Sequence, residues 1–173
     1  MIDSDTRPLI VTAGLGEPVQ GWATGLRRAY FPPERNYLAA HLTLFHALPP
    51  SLLDEVKTRL ADHARRAPPK AWINGLMNLG RGVALSIESE ELDRIRRELQ
   101  HDFHGSLSAQ DAGGWRPHVT IQNKVEPSIA KATLGKLTRE GVGDPRPLTI
   151  AALELHRYDG GPWEPVKRFP FRG

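Results

Sequence analysis

The sequence predicts an α+β fold with an approximate internal duplication. Strand-like and helix-like segments follow one another in an order that mixes hairpins with longer crossovers, which is typical of the α+β class. A tetrad of the form His-x-Thr-aliphatic occurs at residues 41–44 and again at residues 118–121. Each copy lies in a strand-like segment that a helix follows. The two halves are therefore predicted to be related by pseudo-twofold symmetry, with one motif strand in each.

In the first half of the chain, the sequence pattern predicts the order strand, helix, strand, helix. Apolar runs that end at glycine or proline indicate the strands, and apolar residues at helical spacing indicate the helices. The expected elements are a strand at residues 9–13, a helix at 18–30, the first motif strand at 41–47, and a helix from Ser51 to the prolines at 68 and 69.

The Gly14-x-Gly16 sequence after the first strand could also indicate a dinucleotide-binding fold. In that fold a third glycine follows at a fixed spacing and an acid ends the second strand. Here Val19 occupies the third position, and the nearest acid at roughly the right distance, Glu34, follows two prolines and does not end a second strand. A turn into a helix is the better interpretation.

The second half predicts a hairpin, a helix, the second motif strand, a helix and a closing hairpin. Glycine-rich turns join the strands of both hairpins. The expected elements are strands at 71–77 and 83–87, a helix at 89–103 capped by Ser89, a loop at 105–114, the motif strand at 118–125, a helix that begins at 127–128, and strands at 148–156 and 166–169.

Length and composition favour one compact domain over residues 1–173. The chain has 39% hydrophobic and 25% charged residues and lacks cysteine, which excludes disulfides, thiolate catalysis and cysteine-ligated metals. The net charge of +3 permits a phosphate-bearing partner without indicating a dedicated nucleic-acid binder. No apolar run is long enough for a membrane span, and the N-terminus lacks a secretory pattern. A monomeric cytoplasmic protein that does not bind membranes is expected.

The two tetrads carry the candidate chemistry. Side chains alternate between the faces of a strand, so His41 and Thr43 share one face, and His118 and Thr120 share one face of their strand. Side by side, the strands would present two imidazoles and two hydroxyls to one cleft. One neutral and one protonated imidazole can act as base and acid, and hydroxyls can donate to phosphoryl oxygens. This set suits cleavage of a phosphodiester and requires no metal or cofactor.

The same alternation adds four possible substrate contacts. Phe45 shares the predicted face of His41 and could stack on a base, although core packing is an equal alternative. Arg116, Gln122 and Lys124 share the predicted face of His118. Their side chains could reach a phosphate or ribose, or could simply be solvated.

The paired tetrads resemble those of the two-histidine (2H) phosphoesterase superfamily, especially its bacterial branch of RNA 2′,3′-cyclic phosphodiesterases and 2′-5′ RNA ligases. The Trp-Arg-Pro-His-Val-Thr-Ile sequence at residues 115–121 is similar to the second motif of that family. The likeness continues through the glycine-turn hairpin. It ends in the pattern formed by Leu153, Leu155, Tyr158 and Phe169.

The resemblance implies a bilobal fold in which two antiparallel sheets frame a cleft. It implies that His41 and His118 are catalytic and that Thr43 and Thr120 bind phosphate. The implied activity is hydrolysis of 2′,3′-cyclic phosphates at RNA 3′ ends or on small nucleotides. Formation of a 2′-5′ RNA linkage, or binding of an RNA end without turnover, stays open, as does the choice of acid and base.

Overall fold

A computed structural model describes residues 5–173, so residues 1–4, including part of the acidic N-terminus, lie outside the description. Seven strands and five α-helices form the fold. They are β1 Leu9–Leu15, α1 Val19–Tyr30, β2 Leu42–Leu48, α2 Leu53–His63, β3 Lys70–Asn78, β4 Val83–Glu88, α3 Glu90–Asp102, α4 Ala109–Ala112, β5 His118–Gln122, α5 Pro127–Arg139, β6 Arg146–Tyr158 and β7 Trp163–Pro170. None of the described helices is long and apolar enough to span a membrane.

Every strand and helix that the sequence predicts is present, and the differences are local. Ser89 caps α3 by accepting a hydrogen bond from the backbone N–H of Leu92 (3.1 Å), as expected. The predicted loop at 105–114 contains the short helix α4. Its Asp111 is buried and accepts hydrogen bonds from the backbone N–H groups of His46 and Ala47, which attaches α4 to β2.

The sheet is a single antiparallel sheet in the order β1-β2-β5-β4-β3-β6-β7, and it closes through pairing of β1 with β6. This corrects the expected layout of two separate sheets. The long strand β6 pairs through its first residues with β3 and through the rest with both β1 and β7. The motif strands β2 and β5 are neighbours as well. Hydrogen bonding therefore continues around the ring.

The two faces of the closed sheet differ in polarity. Helix α1 packs on β5 and β1, α3 on β3, and α5 on β3 and β4, so the helices cover the outer face. Leu42 and Val119 have no exposed surface and belong to the hydrophobic core on that side. Because side chains alternate along a strand, the residues beside Leu42 and Val119 point to the inner face. The inner face is therefore where the polar motif residues lie.

Candidate functional site

The two tetrads lie on adjacent strands in antiparallel register. Leu42 and Val119 are direct partners. Continuing that register by one residue places His41 beside Thr120 and Thr43 beside His118, so the two histidines are diagonal neighbours. All four side chains are half-buried, as expected for the wall of an open cleft. The structure thus brings together the four residues that the motifs single out.

Both imidazoles are held by the same backbone contact. Nδ1 of His41 lies 2.9 Å from the carbonyl oxygen of Ala39, and Nδ1 of His118 lies 2.7 Å from the carbonyl oxygen of Arg116. In each case the partner is the residue two positions before the histidine. A carbonyl oxygen only accepts, so each Nδ1 carries the proton when the ring is neutral. Nε2 of each ring is then the nitrogen that can take up a proton.

The surroundings of His41 disfavour its charged form. Burial lowers the pKa of His41 to about 4, and the positive charges of Arg27, His156 and His118 act in the same direction. The hydrogen bond to Ala39 opposes this shift without reversing it. At neutral pH, His41 is therefore a neutral imidazole whose Nε2 can accept a proton.

A buried arginine supports both motifs from behind. Arg27 of α1 donates from Nη1 to the carbonyl oxygen of Thr120 (2.8 Å) and from Nε to that of Leu38 (3.1 Å). Gln20 of the same helix donates to the carbonyl oxygen of Ala40 (2.9 Å). Helix α1 thereby fixes the segment before His41 and the backbone of the second motif together.

A row of polar residues extends the site across the sheet. Thr12 of β1 is the direct partner of Thr43 on one side and of Glu154 on the other, and Glu154 in turn pairs with Arg168 of β7. Direct partners in a ladder share a face. Ser86 of β4 continues the row on the opposite side as the partner of His118.

Two aromatic residues next to His41 were not predicted from the sequence. The rings of His41 and Trp163 have centroids 4.7 Å apart, and those of His156 and Trp163 are 5.3 Å apart. Nε2 of His156 lies 3.1 Å from Oγ1 of Thr12. Burial also lowers the pKa of His156. The closing hairpin therefore supplies one wall of the cleft.

Phe45 does not belong to this cleft, and of its two alternatives the structure shows core packing. It has no exposed surface, packs edge-on against Phe103 with centroids 6.0 Å apart, and lies under the guanidinium of Arg96 at 4.1 Å. The cause is a register shift in which Val11 pairs with Phe45 but Thr12 pairs with Thr43. This bulge gives β2 one extra residue and reverses the alternation after Thr43.

Gln122 is displaced in the same way. Val83 pairs with Gln122 but Ala84 pairs with Thr120, so β5 also has one extra residue, Ile121, at the end of its tetrad. Gln122 is 2% exposed and donates to Oγ1 of Thr133 on α5 (2.9 Å). It therefore lies in the core, and the prediction of a substrate contact is wrong.

The two predicted basic contacts have different positions. Arg116 is exposed, and its carbonyl oxygen is the group that holds His118. Lys124 is exposed beyond the end of β5, where its φ of 63° is left-handed. Strand alternation does not hold past the bulge, so the predicted alignment of Lys124 with His118 has no basis.

Arg96 of α3 is a buried arginine, 3% exposed. It donates from Nε to the carbonyl oxygen of Leu44 (2.8 Å) and from Nη2 to that of Asp111 (2.8 Å). Leu44 belongs to the bulge, so Arg96 stabilises the irregular backbone that follows the first motif.

The arrangement can perform metal-independent acid and base chemistry on an anion. Two imidazoles and two hydroxyls converge, and one imidazole is kept neutral by burial. Within residues 5–173 no group of three or more histidine or acidic side chains forms a metal site.

Comparisons with known proteins identify the family and agree with the fold. The family model for the 2′-5′ RNA ligase superfamily matches residues 15–162. No curated protein sequence matches the chain. The structure of TT0787 from Thermus thermophilus is similar, with a TM-score of 0.66 and 17% identity over 96% of this chain and 98% of that one.

Escherichia coli LigT is also similar in structure. Its apo form gives a TM-score of 0.59 at 16% identity, covering 98% of this chain and 100% of LigT. Its complex with 3′-AMP gives 0.56 with the same identity and coverage. These identities show a shared fold, whereas the family model spans most of the chain and confirms the resemblance seen in the tetrads. The chain belongs to the 2′-5′ RNA ligase superfamily, whose members are 2H phosphoesterases.

Proposed function

We propose that this chain is a metal-independent phosphodiesterase that hydrolyses 2′,3′-cyclic phosphates at RNA 3′ ends or on nucleotides. The observation that carries the proposal is the matched pair of histidines, each fixed through Nδ1 to the carbonyl two residues before it. Family membership supports a phosphoester substrate. The similar fold of LigT in complex with 3′-AMP supports a nucleotide ligand.

His41 is assigned as the base and His118 as the acid. His41 is neutral at physiological pH, so its Nε2 takes a proton from water as the water oxygen bonds to phosphorus. The bond from phosphorus to the ribose 3′ oxygen breaks, and His118 gives a proton to that oxygen. The products are a 2′-phosphate and a free 3′-hydroxyl.

Thr43 and Thr120 are assigned to the phosphoryl oxygens. The register of β2 and β5 puts each threonine on the inner face, beside the histidine of the neighbouring strand. Donors at this position stabilise the negative charge that builds up on phosphorus-bound oxygens in the transition state. Substitution of such a donor typically lowers kcat by about 10²–10³-fold.

The test is turnover of nucleoside 2′,3′-cyclic phosphates by purified protein in EDTA. We expect a 2′-phosphate product, and we expect His41→Ala and His118→Ala each to remove activity. His46→Ala is the matched control, because His46 is exposed and contacts Asp111 rather than the cleft. Binding without any product would favour a binding module, and joining of a 5′-hydroxyl oligonucleotide would indicate ligation.

A further inference from the structure

A cavity of about 440 Å³ opens beside His41 on the side of β1, β6 and β7. His41 is one of its lining residues, and Gly14, Glu154, Trp163 and Arg168 are others. His118 and Thr120 are not part of the lining. The cavity thus lies next to the proposed reaction centre. The part of a substrate beyond its phosphate would extend into it.

Glu154 is the unusual group in this cavity. Its carboxylate is half-buried, and burial raises its pKa, while the charge of Arg168 opposes that shift. No side chain or backbone donor within residues 5–173 makes a hydrogen bond or ion pair with it. A carboxylate that is partly shielded from water and has no donors loses solvation, and a ligand with donors would compensate that loss.

Gly14 provides the space that Glu154 occupies. A methyl group at this position would collide with Oε1 of Glu154. The first glycine of the Gly14-x-Gly16 sequence therefore accommodates the carboxylate against β1.

The position of Glu154 matches the length of a nucleotide. Thr12 separates Glu154 from Thr43 in the polar row, so the backbones of Thr43 and Glu154 are two strand spacings, about 10 Å, apart. A nucleotide covers a similar span from its phosphorus to the far edge of its base. Trp163 lies beside this path and offers an aromatic surface for stacking.

Guanine is the base whose edge fits these groups. It alone presents two adjacent donors, N1–H and the N2 amino group, to which one carboxylate can accept twice. Its O6 and N7 are acceptors for an arginine. Glu154 and Arg168 are direct partners on neighbouring strands and line the same cavity. Adenine and cytosine each offer the carboxylate one amino group, and uracil offers one ring N–H.

We propose that this cavity is a base subsite that selects guanine, with Glu154 accepting from N1–H and N2 and Arg168 donating to O6 or N7. The proposal rests on the proposed function, because it assumes that a nucleotide phosphate lies at the histidine pair. It makes guanosine 2′,3′-cyclic phosphate, free or at an RNA 3′ end, the preferred substrate.

The test compares kcat/KM for the four nucleoside 2′,3′-cyclic phosphates. We expect guanosine to be preferred by at least about tenfold, which is the lower range for a good bidentate base contact. Glu154→Gln should lower the value for guanosine by about 10–100-fold and change the other three by less than about twofold. Gly14→Ala should give the same loss while it keeps the carboxylate, because the added methyl displaces Glu154.

Glu88→Gln is the matched control. Glu88 is an exposed carboxylate of β4 that receives a hydrogen bond from Asn74 and lies outside this cavity. Equal kcat/KM for all four nucleotides, or an equal loss of kcat/KM for all four in Glu154→Gln, would overturn the base subsite. Neither result would contradict the proposed phosphodiesterase activity. Absence of turnover with every nucleotide would instead overturn the proposed function. The subsite would then be tested by calorimetric binding of 3′-GMP and 3′-AMP, and equal affinities would overturn it.

Discussion

The rings of His41 and Trp163 meet at 62° with their centroids 4.7 Å apart. Burial is the main cause of the low pKa of His41, about 4, and the indole contributes to that burial. Trp163→Ala should therefore raise the pKa of His41 toward its ordinary value of 6.5. A base must be neutral to act, so the acid limb of the kcat/KM profile should move from about pH 4 to higher pH.

The pH profile of Trp163→Ala is best compared with that of Trp72→Ala. Trp72 is 46% exposed and lies on β3, away from His41. The limb should stay in place in this control. An unchanged acid limb in Trp163→Ala would contradict the role assigned to the indole, and NMR titration of the His41 ring would report the pKa directly.

The low pKa of His41 also predicts how stability depends on pH. The folded pKa of about 4 lies below the ordinary value of 6.5, so the unfolded chain binds more protons between these values. The free energy of unfolding that His41 contributes is complete above about pH 6.5 and is lost as the pH falls toward 4. His41→Asn should flatten this part of the curve, measured by urea denaturation from pH 4 to 7. If the free energy of unfolding depended on pH in the same way in the parent and in His41→Asn, the contribution assigned to His41 would be ruled out.

Arg96 and Arg97 are neighbours on α3 with opposite environments. Arg96 is buried and bonds the carbonyl oxygens of Leu44 and Asp111, whereas Arg97 is exposed. Arg96→Met removes the donor to the carbonyl oxygen of Leu44, whereas that of Asp111 keeps a hydrogen bond from Gln100 (3.1 Å). We expect a loss of about 1–3 kcal/mol in the free energy of unfolding. Arg97→Met should change it by less than about 0.5 kcal/mol. Similar free energies of unfolding for Arg96→Met and Arg97→Met, measured by chemical denaturation, would show that Arg96 does not support the bulge.

Strand alternation predicted correctly which face the motif histidines and threonines share, because each strand is regular up to its threonine. Up to Thr43 and Thr120, alternation places the polar residues on the inner face. At the next step each strand has a bulge, and Phe45 and Gln122 turn into the core. No glycine or proline marks either bulge, so the local sequence carried no signal. The positions of Phe45 and Gln122 thus have one cause, a bulge that is repeated in both copies of the motif.

The second wall of the cleft was missed because it depends on distant pairing. Glu154 and His156 reach the site only through the pairing of β6 with β1, which brings residues 9–15 against residues 150–157. Alternation did offer a signal, since buried Leu153 and Leu155 leave Glu154 and His156 together on the other face. β6 is long enough to pair with both β3 and β1, and this pairing connects the two expected sheets into one. A shorter strand would not reach both β3 and β1.

The pair Thr120 and Gln122 tests where the cleft ends. Both are polar and two positions apart on β5, but the bulge puts Thr120 on the inner face and Gln122 against Thr133 in the core. Thr120→Val removes a hydroxyl from the proposed phosphate contact, and kcat should fall by about 10²-fold or more with little change in stability. Gln122→Met removes a buried amide whose Oε1 has no partner in the described chain, so kcat/KM should stay within about twofold of the parent. Steady-state kinetics on a 2′,3′-cyclic nucleotide measures both. A large loss of activity in Gln122→Met at unchanged thermal stability would mean that the strand presents Gln122 to the substrate after all.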